Sequence, residues 1–177
     1  MINTISQMIR TGILTETYPT PAGSIEVAKR QKDLRNIMGR SLCIRHVDAG
    51  SCNGCELEIQ ALNNPYYNLE GVGIKFVASP RHADLLLVTG PVSVNMEEAL
   101  RRTLDAIPEP KLVVAVGDCG ACGGVFGNNY ASRGAVANVI PVHQTVAGCP
   151  PNPVAILEAI RTAVLSAEGK DRLPSDR

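Results

Sequence analysis

The sequence has no tryptophan, few aromatic side chains of any kind and no excess of charge of either sign. Aromatic residues make up 3% of the chain, and 17 basic side chains balance 17 acidic ones. Because it lacks both a basic excess to attract phosphates and aromatic rings to stack on bases, the chain is not expected to bind nucleic acid. Its hydrophobic content of 45% is enough for one core, which must be built from aliphatic side chains.

Long apolar runs and targeting signals are also missing. No apolar stretch approaches the length of about 18–20 residues needed to span a bilayer. The first residues show neither the pattern of a secretory signal nor a twin-arginine pair. We therefore expect the chain to stay in a reducing compartment, where its six cysteines are metal ligands or free thiols rather than disulfides.

Composition divides the chain into an N-terminal extension over residues 1–40, a globular domain over 41–166 and a charged tail over 167–177. Within the domain, short apolar segments alternate with segments of helical periodicity. This alternation predicts an α/β domain with a largely parallel sheet. The predicted strands cover residues 42–47, 74–78, 85–89, 112–116 and 139–146.

Two predicted helices have start signals. Asn95 with Glu98 three residues later resembles a capping box after the third strand. Asn152 is placed to cap the last helix, with Pro153 at its first position. The apolar faces of the two helices carry Met96, Leu100, Leu104 and Ile107 in the first, and Ile156, Leu157, Ile160 and Val164 in the second.

Four of the cysteines follow predicted strands. Cys52 and Cys55 come after the first strand, Cys119 after the fourth and Cys149 after the fifth. Because ligands of open α/β sheets bind at the carboxyl ends of the strands, three separate loops are expected to bring these thiols to one edge. Four thiolates are the ligand set of a [4Fe–4S] cluster, and the glycines beside them let backbone N–H groups approach an anionic cluster.

On spacing alone, other uses of these cysteines stay open. A C-x-x-C pair also occurs in redox dithiols and in zinc sites, although structural zinc usually takes a second close pair. Cys43 lies within the first strand and is expected to be a core thiol. Cys122 forms a second C-x-x-C with Cys119, and Cys119 is preferred as the ligand because it comes first after the strand.

Four ordered motifs add to the cysteine spacing. Together they resemble the small subunit of membrane-bound, energy-converting [NiFe] hydrogenases, which is similar to the cluster-bearing subunit of respiratory complex I. The resemblance covers residues 42–165. The motifs are Cys-Asn-Gly-Cys-Glu-Leu-Glu at 52–58, Ser-Pro-Arg-His-Ala-Asp at 79–84, Gly-Asp-Cys with a later Gly-Gly within 117–124, and Gly-Cys-Pro-Pro at 148–151.

The resemblance implies a flavodoxin-like fold and one [4Fe–4S] cluster, with no ligand role for Cys122. It implies a component of an oxidoreductase complex that has no catalytic residues of its own. Such a component relays electrons between the Ni–Fe site of a large partner subunit and ferredoxin-like iron–sulfur subunits during H2 production or oxidation. The implied ligands are Cys52, Cys55, Cys119 and Cys149, named below as the four-cysteine site.

The first pair of cysteines and the missing export signal indicate the branch of this family. Two residues separate Cys52 from Cys55, as in hydrogenase small subunits, whereas complex I subunits have adjacent cysteines there. Exported hydrogenase small subunits are usually longer and carry extra clusters. The chain is therefore similar to the type that lies on the cytoplasmic side of the membrane, peripheral within a membrane-bound complex.

Two other functions are retained as alternatives. A complex I-like subunit would hold the same cluster next to a partner that lacks nickel and reduces a quinone or another acceptor. A zinc-stabilised structural protein would contain no iron and would be colourless.

Several residues outside the cysteines have two interpretations. Arg81 and His82 are expected either near the cluster, where a cation raises the reduction potential, or in a solvated turn. Glu56 and Glu58 are expected to begin a helix, where carboxylates interact favourably with the helix dipole, with a proton relay as the alternative. The loop over residues 123–138 is interpreted as covering the cluster or contacting the large subunit.

The N-terminal extension has an apolar helical pattern followed by basic residues. This pattern suits contact with a membrane surface or with a partner in the membrane arm of a complex. The apolar positions are Ile2, Ile5, Met8, Ile9 and Ile13, and the basic ones are Lys29, Arg30, Lys32, Arg35 and Arg40.

Overall fold

The structure, a computed structural model, describes residues 41–171 and the two helical positions Ser6 and Arg10. Of Val72 and residues 168–171 the structure describes the backbone alone. Apart from those two positions, the predicted extension over residues 1–40 lies outside the described residues, so its contacts stay a prediction. No helix among the described residues has both the length and the apolar character needed to cross a membrane.

Five parallel strands form one sheet. Neighbouring strands lie in the order β2-β1-β3-β4-β5, and each pair is parallel. This is the strand order of flavodoxin-like folds, so the predicted fold class is confirmed. The strands are β1 (Leu42–Asp48), β2 (Ile74–Phe76), β3 (Leu85–Thr89), β4 (Leu112–Val116) and β5 (Gln144–Val146).

Helices cover both faces of the sheet. The α-helices of residues 41–171 are α1 (Gly54–Ala61), α2 (Val94–Asp105), α3 (Gly117–Cys122) and α4 (Pro153–Asp171). All side chains of the central strand β3 are buried, as expected for a parallel strand covered on both sides. On one face Leu85 and Leu87 pack with residues of α1 and α4, and on the other Leu86 and Val88 pack with residues of α2.

The last strand is shorter than predicted. The sequence indicated a strand over residues 139–146, whereas only Gln144–Val146 pairs with β4. Val139 and Ile140 instead follow a 3-10 helix, and both donate backbone hydrogen bonds to the Val136 carbonyl, at 3.0 and 3.1 Å. Their side chains are buried in the core, so they are apolar because of packing and not because of sheet pairing.

The start of α2 also differs from the prediction. Ser93 precedes the helix in an extended conformation, and its side chain makes no capping hydrogen bond. The Val94 N–H donates to the Ala131 carbonyl at 2.9 Å, so a distant loop supplies the acceptor for the first N–H group of the helix. The predicted capping box of Asn95 and Glu98 is therefore wrong, and Glu98 forms an ion pair along the helix at 2.7 Å.

The start of α4 agrees with the sequence. Asn152 Oδ1 accepts a hydrogen bond from the Ala155 N–H at 2.8 Å, and Pro153 is the first helical residue. Ile156 and Ile160 are fully buried against the sheet. The helix continues to Asp171, into the segment that composition marks as a charged tail.

Candidate functional site

The four-cysteine site lies at the carboxyl edge of the sheet. Cys52 and Cys55 follow β1, Cys119 lies in α3 directly after β4, and Cys149 follows β5. Because β1, β4 and β5 run parallel within one sheet, the three loops leave the sheet at the same edge. Three separated segments of the sequence are thus brought together, as expected from their positions after strands.

The four thiols are near enough to influence one another electrostatically. Burial is the main cause that raises the pKa of the Cys55 thiol to about 11, and Glu56 and the three other cysteines of the site raise it further. Burial also raises the pKa of Cys119, followed by the effects of Cys149 and Cys52. Because the thiolates would repel one another in this partly buried site, a bound metal centre is the natural way to stabilise them.

Glycines leave the backbone in close contact with two of these sulfurs. A Cβ added at Gly117 would lie 2.7 Å from Cys55 Sγ, and one added at Gly124 would lie 2.8 Å from Cys119 Sγ. Both glycines have positive φ, at +82° and +54°, which other residues rarely adopt. Backbone atoms without a side chain therefore line the space beside the Cys55 and Cys119 sulfurs.

Two aspartates hold the loops that carry the cysteines. Asp48 Oδ1 accepts hydrogen bonds from the N–H groups of Gly50 and Ser51, at 2.8 and 2.7 Å, just before Cys52. Asp118 Oδ1 accepts one from the Gly148 N–H at 2.7 Å, just before Cys149. Neither aspartate was predicted from the sequence. Their only sequence signal is an acidic residue at the end of an apolar strand, near a glycine.

The donor set is one that an iron–sulfur cluster takes. A cubane cluster binds one thiolate at each of its irons, and four thiols from three loops lie at one edge of the sheet. Four thiolates are also the ligand set of some structural zinc ions. Within the part of the chain that the structure describes, no three His, Cys, Asp or Glu side chains are arranged to hold one ion.

A buried acid and a histidine lie next to the site. Glu56 is in the first turn of α1, as predicted, but it is 8% exposed and neither carboxylate oxygen makes a hydrogen bond. His46 Nε2 lies 3.8 Å from Glu56 Oε1 and 3.0 Å from Thr89 Oγ1. Burial lowers the pKa of His46 although Glu56 acts in the opposite direction. His46 was not predicted from the sequence, where its signal is a polar residue inside an apolar strand.

The remaining predicted residues lie away from the four thiols or play other parts. Arg81 and His82 are exposed in a 3-10 helix of the connection between β2 and β3. Their exposure supports the solvated alternative. The exposed Cys122 thiol donates to the Asp118 carbonyl at 3.2 Å, and Cys43 is half-buried in β1.

Comparison with known families gives a match over most of the domain. The family described as NADH ubiquinone oxidoreductase, 20 Kd subunit, matches residues 52–163. The chain belongs to this family. It is thus an oxidoreductase subunit, and members of the 20 Kd family bind an iron–sulfur cluster.

Relatives within the 20 Kd family come from two kinds of complex. A probable membrane-bound hydrogenase subunit, mbhJ, of Pyrococcus furiosus is 44% identical over 136 residues, covering 77% of this chain and 81% of the relative. Formate hydrogenlyase subunit 7 of Escherichia coli is 40% identical over 81% of this chain and 56% of its own length. An NADH-quinone oxidoreductase subunit of Herpetosiphon aurantiacus is 48% identical over 60% of this chain and 59% of its own length.

Solved structures agree on the fold. A chain of the membrane-bound sulfane sulfur reductase, an archaeal respiratory membrane complex, has a TM-score of 0.64 and 31% identity, covering 82% of this chain and 76% of that chain. A chain of the Ni-Fe-Se hydrogenase from Desulfomicrobium baculatum has a TM-score of 0.56 and 17% identity, over 78% of this chain and 67% of that chain. The latter similarity concerns the fold alone.

Proposed function

We propose that this chain is the electron-transfer subunit that carries the proximal [4Fe–4S] cluster of a membrane-associated [NiFe]-hydrogenase complex. The cluster exchanges single electrons with the Ni–Fe site of a large partner subunit and with other, ferredoxin-like iron–sulfur subunits. The observation that carries the proposal is the convergence of four thiols from three loops at one sheet edge. The identity of 44% to a probable membrane-bound hydrogenase subunit supports the hydrogenase branch.

The protein's part in this function is to hold the cluster and tune it. The cluster, when bound, supplies reversible one-electron transfer. Cys52, Cys55, Cys119 and Cys149 would each bind one iron. Burial of Cys55 and the close approach of the Gly117 and Gly124 backbone would keep water away and bring N–H dipoles near the sulfur atoms, two of the factors that set a cluster's potential.

The alternative is a complex I-like subunit whose partner lacks nickel. The identity of 48% to an NADH-quinone oxidoreductase subunit of Herpetosiphon aurantiacus supports it. Against a quinone-reducing version stands the separation of Cys52 from Cys55 by two residues. Both versions require the same cluster, so the partner's metal content distinguishes them.

The test is metal analysis of the complex isolated anaerobically through a tag on this chain. Iron at or above about four atoms per copy of this chain, together with stoichiometric nickel, would support the hydrogenase function. Iron without nickel would favour the complex I-like alternative. Zinc in place of iron would reject the cluster and favour the zinc-stabilised structural protein.

Cysteine variants test the ligand assignment. In the same complex, Cys149→Ser should lose about four irons and part of the brown colour relative to the wild type, because a hydroxyl is a poor replacement for a thiolate ligand. Cys122→Ser is the matched control and should keep both, because its thiol points to the Asp118 carbonyl of its own helix. Loss of iron from Cys122→Ser, with iron retained by Cys119→Ser, would show that Cys122 and not Cys119 is the ligand.

A loop next to the site is our candidate for contact with the large subunit. Val125 and Tyr130 are each 98% exposed, and Phe126 is 58% exposed. They lie in the loop over residues 123–138, where a Cβ added at Gly124 would meet Cys119 Sγ at 2.8 Å. A partner that covers these apolar side chains would therefore lie next to the cluster, as electron transfer to that partner requires.

The exposed loop is held in one conformation by its own contacts. Asn129 Oδ1 accepts hydrogen bonds from the N–H groups of Ala131 and Ser132, at 2.8 and 3.0 Å. Arg133 Nε donates to Glu97 Oε2 at 2.7 Å and so attaches the loop to α2. A rigid loop with exposed apolar side chains binds a partner at a low entropic cost.

Co-purification tests the loop contact. The double variant Val125→Ser and Tyr130→Ser should retain its iron and recover several-fold less large subunit, because interface energy concentrates in a few apolar anchors. Leu165→Ser, which changes a 40% exposed leucine on α4, is the control and should recover the wild-type amount. Equal recovery of the large subunit from both variants would reject this contact.

We also propose that the complex holds this chain on the cytoplasmic side of the membrane, through the extension over residues 1–40. The relatives' description as membrane-bound supports a membrane-associated complex. Deletion of residues 1–16 should release the chain from the membrane arm during fractionation. Unchanged assembly would contradict the role of the extension.

A further inference from the structure

Asp118 links two of the loops that carry the candidate ligands. Its backbone N–H donates to the Gly148 carbonyl at 2.9 Å, and its Oδ1 accepts from the Gly148 N–H at 2.7 Å. Asp118 directly precedes Cys119, and Gly148 directly precedes Cys149. Two hydrogen bonds therefore join the two loops through the residues that directly precede Cys119 and Cys149.

The Gly148 side of this link depends on its backbone alone. Gly148 has a φ of +132°, and an added Cβ would lie 2.7 Å from Pro151 Cα. A side chain at this position would clash with Pro151, so only the backbone of residue 148 takes part in the link to Asp118. The part-buried Gly148 N–H needs an acceptor from another segment, and without one the N–H would be left unsatisfied.

Asp48 provides a contrast at the other cysteine loop. Its carboxylate accepts two N–H groups before a cysteine, and both belong to Gly50 and Ser51 of its own loop. Asp48 therefore acts within one loop, whereas Asp118 joins two loops that are 30 residues apart in the sequence.

We propose that Asp118 is a positioning residue of the four-cysteine site and that its carboxylate lowers the reduction potential of the bound cluster. The inference rests on the proposed [4Fe–4S] cluster. The hydrogen bonds hold Cys149 at a fixed distance from Cys119, so that both can bind the same cluster. The negative charge lies next to the site, and it opposes the addition of an electron to an already anionic group.

Two variants of Asp118 separate the two roles. Asp118→Asn keeps an oxygen that can accept from the Gly148 N–H and removes only the charge. Asp118→Ala removes both the acceptor and the charge. Asp105→Asn is the control for charge, because Asp105 is an exposed carboxylate at the far end of α2.

The experiment uses the complex isolated anaerobically, with iron content and the midpoint potential from an EPR-monitored redox titration as readouts. We expect Asp118→Asn to keep wild-type iron and to shift the midpoint potential upward. Asp118→Ala should lose iron affinity by about 10-fold or more, the usual effect of removing a residue that orients a ligand. Asp105→Asn should change neither quantity.

The outcomes that overturn the proposal are distinct. Wild-type iron retention in Asp118→Ala would reject the positioning role, and an unchanged potential in Asp118→Asn would reject the electrostatic one. A purely structural contact would lower the yield of folded chain without moving the potential of the Asn variant. A wild-type complex without iron would instead reject the proposed function itself.

Discussion

Gly117 shows how little room the four-cysteine site leaves for a side chain. It is the first residue after β4 and has a φ of +82°. A methyl group there would lie 2.7 Å from the Cys55 sulfur. Cys55 cannot move aside without leaving the position from which we propose that it binds the cluster, so both the backbone conformation and the proposed site favour glycine here.

Gly117→Ala should therefore lower the occupancy of this chain's cluster in the isolated complex several-fold, measured as iron lost relative to the wild type. The added methyl displaces Cys55 Sγ, and the positive φ adds strain of about 1 kcal/mol. Gly127→Ala is a matched control, because Gly127 also has a positive φ, of +55°, but has nothing within 4 Å of an added Cβ. Equal iron loss in the two variants would mean that backbone strain, not the contact with Cys55, is responsible.

At the level of the elements, α4 supports the sheet beneath the site. Ile160 is fully buried between α4 and the strands, whereas Leu165 on the same helix is 40% exposed. Ile160→Ala should lower the free energy of unfolding by about 2–5 kcal/mol, because it leaves a cavity in a close-packed core. Leu165→Ala should lower it by less than about 1 kcal/mol. Urea denaturation measures both, and similar losses would contradict this packing.

Helix α2 carries a pH-sensitive attachment of the exposed loop. Hydrogen bonds from Arg133 and Arg101 lower the pKa of Glu97. The pKa of Glu97 is thus lower in the folded state than in the unfolded state. The contacts therefore contribute their full stability at pH values above the unfolded-state pKa, and this contribution is lost as the pH falls through the folded-state pKa. The attachment is thus complete at neutral pH.

Glu97→Gln should consequently lower the free energy of unfolding at about pH 7 and have a smaller effect at about pH 3, where the wild-type carboxylate is protonated. Denaturation of both proteins at the two pH values measures the difference. Glu98→Gln is the control, because Glu98 pairs along the helix with Arg102 and, among the described residues, not with the loop. An effect of Glu97→Gln that does not depend on pH would show that the ion pairs add nothing to stability.

At the scale of the whole molecule, the sheet and the cysteine loops should respond differently to loss of iron. The core on both faces of the sheet consists of aliphatic side chains, most of them away from the thiols. The loops have fewer apolar contacts of their own and contain the mutually repelling thiols. The bound cluster should therefore order the loops more than the sheet.

Chelation of iron under anaerobic conditions should speed amide hydrogen exchange in residues 49–55, 117–124 and 147–152. Exchange in β3 should stay slow, because that strand is hydrogen-bonded on both sides within the sheet. Exchange measured by mass spectrometry before and after chelation gives the comparison. Rapid exchange of β3 as well would mean that the cluster holds the whole fold together.

Much of the fold could be predicted because its signals are local. Apolar strands alternate with helical patterns, and Asn152 caps α4 through a residue three positions away. The placement of four cysteines after strands also predicted that parallel pairing would bring them to one edge. These features depend on neighbouring residues or on a general rule of parallel sheets, so the sequence alone determined them.

Only the tertiary structure decided the contacts between distant segments. The Asp118–Gly148 link, the His46–Glu56 pair and the Glu97–Arg133 bond join residues 30, 10 and 36 positions apart and leave no periodic pattern. For the same reason the apolar segment before β5 was taken for strand, although its residues are buried by packing. An apolar side chain predicts that a residue is buried. Which residues it then contacts depends on how the whole chain folds.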